Sequence, residues 1–184
     1  MTQNPKTPIE MAFSRRVPTG DDHDRLVCDH CGHIQYVNPK IVAGSVVYDT
    51  DQILLCRRAI EPRLGYWTMP AGYMELHESP EAAARREAME EACATIEIDA
   101  LLAVYSVQRI SQVQLIYRAR LADPVFAAGP ESLEVRLFDW DDIPWTELAF
   151  PTVVWALRQF REAPRDVPFA PYGNPADPRT PLTP

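Results

Sequence analysis

Three glutamates stand close together near the middle of the chain. Glu90 and Glu91 follow Glu87 by three and four residues in the run RREAMEEA, so on a helix their carboxylates would crowd one face. Like charges in this arrangement repel, and a hard divalent cation would relieve the repulsion because Mg²⁺ prefers carboxylate oxygens as ligands. A cation held there would contact phosphate oxygens and lower the pKa of an attacking water. The alternative is an ordinary solvated helix face, since acidic triplets are common on surface helices.

The residues before these glutamates predict how the acids are positioned. Ser79 followed by Pro80 marks a helix start, because Ser is a favoured N-cap and Pro suits the first helical position. Gly72 would let the preceding chain turn sharply. Arg86 would orient neighbouring carboxylates, with Glu78 as its partner. The stretch therefore predicts a sharp turn followed by an acidic helix.

This stretch, GYMELHESPEAAARREAMEEACA, resembles the Nudix box, G-x5-E-x7-R-E-U-x-E-E-x-G-U, in which U is a bulky apolar residue. The matching residues are Gly72, Glu78, Arg86, Glu87, Glu90 and Glu91. Three positions depart from the pattern, because Ala88 and Ala94 are small and Cys93 stands where the box has glycine. These departures concern the packing and exit turn of the helix rather than its acids.

The resemblance extends over most of the chain, from about Arg15 to Phe160. Three stretches resemble the zinc-ribbon-bearing branch of Nudix hydrolases: NPKIVAGSVVY, LLCRRAIEPRLGYWTMPAGYMELHESPEAAARRE and ESLEVRLFDWDDIPWTELAFPTV. Members of this branch act on ADP-ribose, flavin adenine dinucleotide (FAD) or NADH. The resemblance implies a Nudix α/β/α sandwich around a mixed β-sheet, and the resemblance to dimeric relatives makes a homodimer the expectation. It also implies Mg²⁺- or Mn²⁺-dependent hydrolysis of a diphosphate linkage in FAD or ADP-ribose, with release of AMP and a second phosphorylated product.

The same resemblance implies further site residues. In this branch a glutamate after the box completes the site, and EVRLF matches its place, so Glu134 is the expected metal ligand or general base and Glu131 the alternative. An exposed carboxylate without a role is the other interpretation of Glu134. The expected metal ligands are Glu87, Glu90, Glu91 and Glu134. The residues expected to act in catalysis are Glu78, Arg86, Glu90 and Glu134.

Substrate contacts are expected from arginine and aromatic side chains before the box. Arg57 and Arg58 would bind phosphate in bidentate fashion, although strand alternation sends them to opposite faces, so that at most one points into the site. Four aromatic residues are candidates for stacking on a base, and core packing is the other interpretation for each. These are Tyr48, Tyr66, Trp67 and Phe138. The predicted substrate-binding residues are Arg57, Arg58, Gly72, Tyr66 and Trp67.

Cys28 and Cys31 form a Cys-x-x-Cys pair that is typical of a zinc knuckle. A structural zinc site needs four ligands, and the branch supplies its other cysteine pair upstream, at places that fall near Lys6 and Ile9 here. Because cysteines are absent there, the ribbon is degenerate and we expect a metal-free hairpin with two reduced cysteines. The alternative is replacement of the missing ligands by histidines: His23, His30 or His33.

The elements that position these residues are predicted from periodicity. The β-rich runs that predict a mixed sheet are IVAGSVVY, QILLCRR, LLAVYSV, VQLIYRARL and EVRLFDW. A second helix is predicted near PTVVWALRQF, and two short strands around the Cys-x-x-Cys-Gly turn predict a hairpin. The expected segments are a flexible arm (1–22), the degenerate zinc-ribbon hairpin (23–40), the Nudix domain (41–162) and a Pro-rich disordered tail (163–184).

Composition excludes several classes of partner. The chain has 184 residues with 46% hydrophobic and 24% charged, which suits one globular domain. A net charge of -8 without a Lys/Arg run argues against nucleic acid and anionic membranes. No signal sequence or membrane span is evident, and the four cysteines lack the spacing of a disulfide framework, so we expect a cytoplasmic protein.

Two other functions stay open at the level of sequence. A non-catalytic nucleotide-sensing module of the Nudix type would have no need for the glutamates of the box. An NADH pyrophosphatase or an RNA-decapping hydrolase would carry an SQPWPFP segment, of which only Ser111-Gln112 resembles the start.

Overall fold

The computed structural model describes residues 12–165 and 167–176. The chain divides into two compact units between Asn38 and Pro39. The sequence predicts this boundary after residue 40, so the larger unit begins slightly earlier than expected. Within the described residues, no helix is long and apolar enough to cross a lipid bilayer.

The N-terminal unit is a three-stranded antiparallel sheet of β1 (Phe13–Arg16), β2 (Arg25–Cys28) and β3 (Ile34–Gln35). The predicted hairpin corresponds to β2 and β3, and Cys28 N donates to His33 O across its turn at 2.8 Å.

Strand β1 lies within residues 1–22, which the sequence predicts to be a flexible arm, so this part of the prediction is wrong. It pairs with β2 over its whole length, and Ser14 Oγ and Arg16 Nη1 both donate to Asp29 Oδ1, at 2.6 and 2.8 Å. FSRR carries no apolar alternation, so the pairing depends on backbone and polar contacts that periodicity does not reveal. Residues 1–11 of the predicted arm lie outside the described residues.

The larger unit contains a mixed sheet in the order β10-β5-β4-β9-β8, with β6 added to β5 and β7 to β4. Its strands are β4 (Lys40–Asp49), β5 (Gln52–Arg58), β6 (Trp67–Thr68), β7 (Ala71–Tyr73), β8 (Ile96–Val107), β9 (Gln112–Leu121) and β10 (Ser132–Phe138). The pair β4–β9 is parallel and the other pairs are antiparallel. The mixed sheet predicted from the sequence is therefore confirmed.

Two helices cover the two faces of this sheet. They are α1 (Pro80–Ala92) and α2 (Pro151–Glu162). Leu54 and Cys56 of β5 pack in one apolar cluster with Ala88 of α1, whereas Leu55 packs in another with Leu157 of α2. Because neighbouring side chains of a strand point to opposite faces, the helices lie on opposite sides of the sheet. The predicted α/β/α sandwich is confirmed.

Helix α1 packs closely against the sheet because its buried side chains are small. Its fully buried alanines are Ala83, Ala84, Ala88 and Ala92. The helix ends in a left-handed residue, Cys93, with φ of 48°, and Cys93 N and Ala94 N donate to Met89 O and Ala88 O at 3.0 and 3.2 Å. This is the geometry that glycine usually provides. The departures from the box therefore preserve the helix and its exit turn.

The C-terminal segment contacts the edge of the sheet, whereas the sequence predicts disorder from residue 163. Tyr172 exchanges backbone hydrogen bonds with Val104 and Leu102, both at 2.9 Å. The Asn174 side chain accepts from Ser106 N and donates to Ser106 O, also at 2.9 Å. Strand β8 is at the edge, so its unpaired backbone groups are available to this segment. Residues 177–184 lie outside the described residues.

Candidate active site

Arg86 joins the turn before α1 to the helix itself. Its guanidinium donates to Glu78 from Nη2 at 2.8 Å and from Nε at 3.2 Å, and to the carbonyl of Tyr73 at 3.0 Å. It also donates from Nη1 to Glu87 at 2.7 Å and to Glu90 at 2.9 Å. The hydrogen bond with Glu78 is the main reason that the pKa of Arg86 is raised, so this cation keeps its charge.

Glu78 holds the turn in place. It accepts a hydrogen bond from Glu75 N at 2.6 Å in addition to those from Arg86. The Arg86 guanidinium and the Glu75 amide both lower the pKa of Glu78, so the carboxylate is charged. These contacts direct Glu78 toward Arg86 and the turn, so its carboxylate is placed to orient Arg86.

Glu87 is buried beside Gly72. It is 8% exposed, and a Cβ added at position 72 would lie 2.3 Å from its Oε1 atom. Glycine is thus needed here so that β7 can run close to the carboxylate. Burial raises the pKa of Glu87, and the charges of Glu90 and Glu131 raise it further, while Arg86 lowers it.

Glu91 is the most deeply buried acid of the helix face, at 6% exposed. Its Oε2 atom accepts a hydrogen bond from Ala71 N at 3.1 Å. Burial raises the pKa of Glu91 to about 8, and the nearby charges of Glu87 and Glu131 act in the same direction, against the opposing charge of Arg58. The Ala71 contact was not predicted, because a main-chain donor has no side-chain signature.

Glu90 lies at the outer border of the acidic face. Its side chain is exposed and contacts Arg86 through one oxygen. The helix thus presents two buried carboxylates and one exposed carboxylate on the face predicted from the sequence.

Glu131, the alternative to Glu134, is the later glutamate that the structure brings to this face. Its charge is among those that raise the pKa of both Glu87 and Glu91. Among the described residues, the Glu131 carboxylate has no hydrogen-bond or ion-pair partner. Its main-chain oxygen accepts from Ala59 N at 2.8 Å, which fixes the loop before β10.

Glu134 is directed to the opposite face of the sheet, away from the box acids. It is paired in register with Arg57, and their charged atoms lie 4.0 Å apart. Its neighbour Val135 packs with the cluster that contains α1 residues, so alternation turns Glu134 toward the α2 side. The expected place of Glu134 beside the box acids is therefore wrong, and the structure brings Glu131 to their face instead.

The NUDIX domain model matches residues 38–161, and a zinc-ribbon model described as Nudix N-terminal matches residues 11–37. The chain belongs to the Nudix hydrolase family. The predicted relation to the zinc-ribbon-bearing branch is confirmed by the second match.

Individual Nudix proteins agree with this assignment. A crystal structure of a NUDIX hydrolase from Nitrosomonas europaea is 42% identical, with a TM-score of 0.84, and the match covers 91% of this chain and 96% of that one. A MutT-like protein from Streptomyces ambofaciens is 34% identical over 102 residues, which are 55% of this chain and 64% of that protein, less than two thirds of its length. An ADP-ribose pyrophosphatase from Methanocaldococcus jannaschii is 28% identical over 119 residues, or 62% and 69% of the two chains.

The two arginines of the Nudix domain's β5 have different surroundings. Arg57 Nε donates to Gly65 O at 2.9 Å, and this side chain lies on the face that carries Glu134. Arg58 Nε donates to Pro62 O at 2.8 Å, and its charge lowers the pKa of Glu91. Of the two predicted phosphate ligands, the structure therefore brings Arg58 to the acids and directs Arg57 to the other face.

The aromatic candidates separate by burial. Trp67 is 6% exposed and packs edge-on against Phe138, with ring centroids 4.9 Å apart. Both are core residues, so Trp67 is corrected from a substrate contact to a packing residue. Tyr48 donates to Asp99 at 2.7 Å and is partly buried against the α2-side core. Tyr66 is 36% exposed, which leaves it available for stacking.

Cys28 and Cys31 of the Nudix N-terminal unit are both free thiols, Cys28 buried and Cys31 exposed. Backbone hydrogen bonds, first from Cys31 and then from His30, lower the pKa of Cys28. Throughout 12–165 and 167–176, no further His, Cys, Asp or Glu joins both thiols in a group with all ligand atoms within 4.8 Å. The places near Lys6 and Ile9 lie outside the described residues.

In one group within the described part of the chain, the ligand atoms do all lie within 4.8 Å of one another: Asp21, Asp22 and His23. Its acids already have partners, since Arg25 Nε donates to Asp21 at 2.8 Å and His23 Nδ1 lies 2.5 Å from Asp22. The box glutamates do not form such a group among the described residues, and Arg86 lies between Glu87 and Glu90 as a hydrogen-bond donor to both.

Proposed function

We propose that the chain is a divalent-cation-dependent hydrolase that cleaves the diphosphate linkage of a nucleotide derivative. ADP-ribose and FAD are the proposed substrates, with AMP and a second phosphorylated compound as products. The observation that carries this proposal is the burial of Glu87 and Glu91 on one helix face, beside Gly72 and next to the charge of Glu131.

The charge balance of this face supports a cation. Burial raises the pKa of Glu87 and Glu91, and the negative charges of neighbouring glutamates raise both further. Arg86 is shared among Glu78, Glu87 and Glu90, so it does not neutralise Glu91. An oxygen-rich, electron-rich donor set of this kind suits Mg²⁺ or Mn²⁺. The residues proposed to hold the ion are Glu87, Glu90, Glu91 and Glu131.

When bound, the cation would neutralise phosphate oxygens and acidify a water molecule. Arg86 keeps the carboxylates of Glu87 and Glu90 in fixed orientations, which lowers the reorganisation that the reaction requires. Arg58 supplies a positive charge near Glu91 and is proposed to bind phosphate oxygens. Glu131 is proposed to hold the ion with one carboxylate oxygen and to act as the general base with the other, because its carboxylate has no partner among the described residues.

The choice of substrate rests on the similarity to the ADP-ribose pyrophosphatase and on the loop between β5 and β6. This loop carries the half-exposed Tyr66, and Arg63 lies over the Tyr66 ring at 5.2 Å. A stacked pair of this kind offers a flat surface to an adenine or flavin ring. A dinucleotide-like substrate would use this surface and the acids together, and remote binding energy would hold the diphosphate in position.

The test is turnover of purified protein on a nucleotide panel with Mg²⁺ and with Mn²⁺, with products identified by chromatography. We expect kcat/KM for ADP-ribose or FAD to exceed that for NADH and for nucleoside triphosphates, with AMP released. A preference for triphosphates would contradict the substrate assignment. Tight binding of ADP-ribose without turnover would contradict the enzyme and favour a nucleotide-sensing module.

We also propose a homodimer in the cytoplasm, as the sequence suggests. All four cysteines are free, which suits a reducing compartment. Size-exclusion chromatography with light scattering measures the oligomeric state, and a monomer at micromolar concentration would contradict the dimer.

A further inference from the structure

The loop before β10 lies directly on the C-terminal end of α1. Ala127 N donates to Ala92 O at 2.9 Å, and Gly129 N donates to Glu91 O at 3.0 Å. The last carbonyls of a helix have no partner within the helix, so these two amides satisfy acceptors at the end of the acidic helix. Two backbone hydrogen bonds thus hold the loop against the C-terminal end of α1.

Gly129 is the point of closest approach between the two. A Cβ added there would lie 1.7 Å from Glu90 O, 2.8 Å from Glu90 C and 3.2 Å from Glu91 C. All three atoms are backbone, which cannot rotate away as the end of a side chain can. The φ of Gly129 lies outside the left-handed region. Glycine is therefore required here for space and not for conformation.

The position of Glu131 depends on this contact. Ser132 N donates to Gly129 O at 3.0 Å, and Ala59 N donates to Glu131 O at 2.8 Å. Glu131 therefore lies between two fixed points, the helix end on one side and β5 on the other. Ordinary contact begins at 3.4 Å, so a side chain at position 129 must separate the loop from the helix and move Glu131.

We infer that Gly129 is a positioning residue, whose missing side chain lets the loop rest on α1 and so sets the Glu131 carboxylate beside Glu87 and Glu91. This inference rests on the proposed function of Glu131. Glu131 and the glutamates of α1 come from different parts of the chain, and the inference names Gly129 as the residue that aligns them.

The first experiment compares Gly129→Ala with Gly173→Ala, a matched control at a glycine with nothing within 4 Å of an added Cβ. We expect Gly129→Ala to lower kcat for ADP-ribose by about 10- to 100-fold, because small misplacements of a reacting group are that costly. KM should change by less than about 3-fold, since most substrate contacts persist. The control should stay within about 2-fold of the unmodified protein. Unchanged kcat in a folded Gly129→Ala protein would overturn the inference.

A double-mutant cycle separates positioning from a general loss of structure. The binding of Mn²⁺, followed by electron paramagnetic resonance, is measured for Gly129→Ala, Glu131→Gln and the double variant, without substrate. If Gly129 acts through Glu131, the two singles weaken Mn²⁺ binding alike, and the second substitution adds less than about 2-fold. Losses that multiply would overturn the inference. Mn²⁺ binding can be measured even if the nucleotide panel shows no hydrolysis. Failure of the positioning role of Gly129 is therefore distinguishable from failure of the proposed hydrolase function.

A second variant covers the case in which Gly129→Ala does not fold. One glycine inserted between Gly129 and Pro130 follows the two docked amides in the chain and adds no side chain against the helix, so we expect it to shift Glu131 while the docked amides stay in place. We expect Mn²⁺ binding as weak as in Glu131→Gln, within about 2-fold. Binding as tight as in the unmodified protein would show that the position of Glu131 is not set by this loop, and would overturn the inference.

Discussion

The two regions that carry candidate metal ligands differ in how their ligands are supported. In the box, Glu87 and Glu91 are buried acids whose charge Arg86 only partly offsets. In the N-terminal unit, Cys28 and Cys31 are free thiols in a sheet whose strands are joined by backbone pairing and by contacts to Asp29. The first region contains buried carboxylates whose negative charge a cation would neutralise, whereas the described part of the second region is joined by ordinary hydrogen bonds.

This comparison teaches that matching a ligand pattern and needing a metal are separate properties. The box draws its carboxylates from one helix, so local spacing preserves the whole set. A zinc ribbon needs two separate knuckles, and only one is recognisable in this sequence. The comparison predicts large effects from changes in the box and small effects from removal of metal at the ribbon.

The largest effect is expected from Glu87→Gln and Glu91→Gln. Each substitution conserves shape but removes one charge from the proposed cation site, so kcat should fall by about 100-fold or more while the fold persists. The measurement is steady-state turnover of ADP-ribose at saturating Mg²⁺, with circular dichroism as the check on folding. Glu162→Gln, at the exposed end of α2, is the control. Near-normal turnover in either box variant would refute the role of that carboxylate.

The next effect separates two glutamates that are three residues apart. Glu131→Gln should lower kcat by about 100-fold, the usual loss when a general base is removed. Glu134→Gln should remain within about 3-fold, because Glu134 lies on the opposite face with Arg57 and exposed ion pairs contribute little. Turnover of both variants is measured under the same conditions. The reverse order would restore Glu134 to the site.

A smaller effect concerns stability against pH without divalent cation. The pKa of Glu91 is raised from 4.5 to about 8 in the folded protein, so the folded state binds more protons than the unfolded state between these values. The stability that this group contributes is thus present below pH 4.5 and is lost as pH rises toward 8, by up to about 5 kcal/mol. The raised pKa of Glu87 acts in the same direction.

Thermal denaturation in a chelator from pH 5 to pH 8 measures this loss. Glu91→Gln should flatten the dependence, and added Mg²⁺ should restore stability mainly at the higher pH, where protons no longer neutralise the site. A melting temperature that stays constant or rises over this interval in the chelated protein would contradict the assignment.

The smallest effect is expected at the ribbon. The purified protein should contain clearly less than one tightly bound zinc per chain, and a chelator should change its melting temperature by less than about 2 °C, because a required structural metal would couple binding to folding. Elemental analysis and a chelator titration test this. Stoichiometric zinc with chelator-induced unfolding would contradict it and would implicate the histidines as ligands.

Features that depend on neighbours in sequence could be predicted from the sequence. Helix α1 begins at Pro80 after the Ser79 cap, as the local pattern indicates, and the alternation in β5 separates Arg57 from Arg58. The crowding of Glu87 with Glu91 follows from helical spacing alone. These features require no knowledge of the rest of the fold.

Features that depend on distant parts of the chain could not be predicted. The face to which Glu134 points depends on its register with Arg57, which includes an irregularity between Ser132 and Glu134. The order of the C-terminal segment depends on the free edge of β8, where Tyr172 pairs with residues that precede it by about seventy positions. The indole of Trp67 could stack on a base or pack in the core, and the sequence does not distinguish the two. Its contact with the ring of Phe138 identifies it as a core residue.

The most direct test of the central claim is the anomalous difference map of a crystal grown with Mn²⁺. The account predicts a manganese peak contacted by Glu87, Glu91 and Glu131, with Glu90 at its outer side, and no peak at Cys28 and Cys31. A peak at Glu134 without Glu131, or manganese bound at Asp21, Asp22 and His23 with the box empty, would contradict the account.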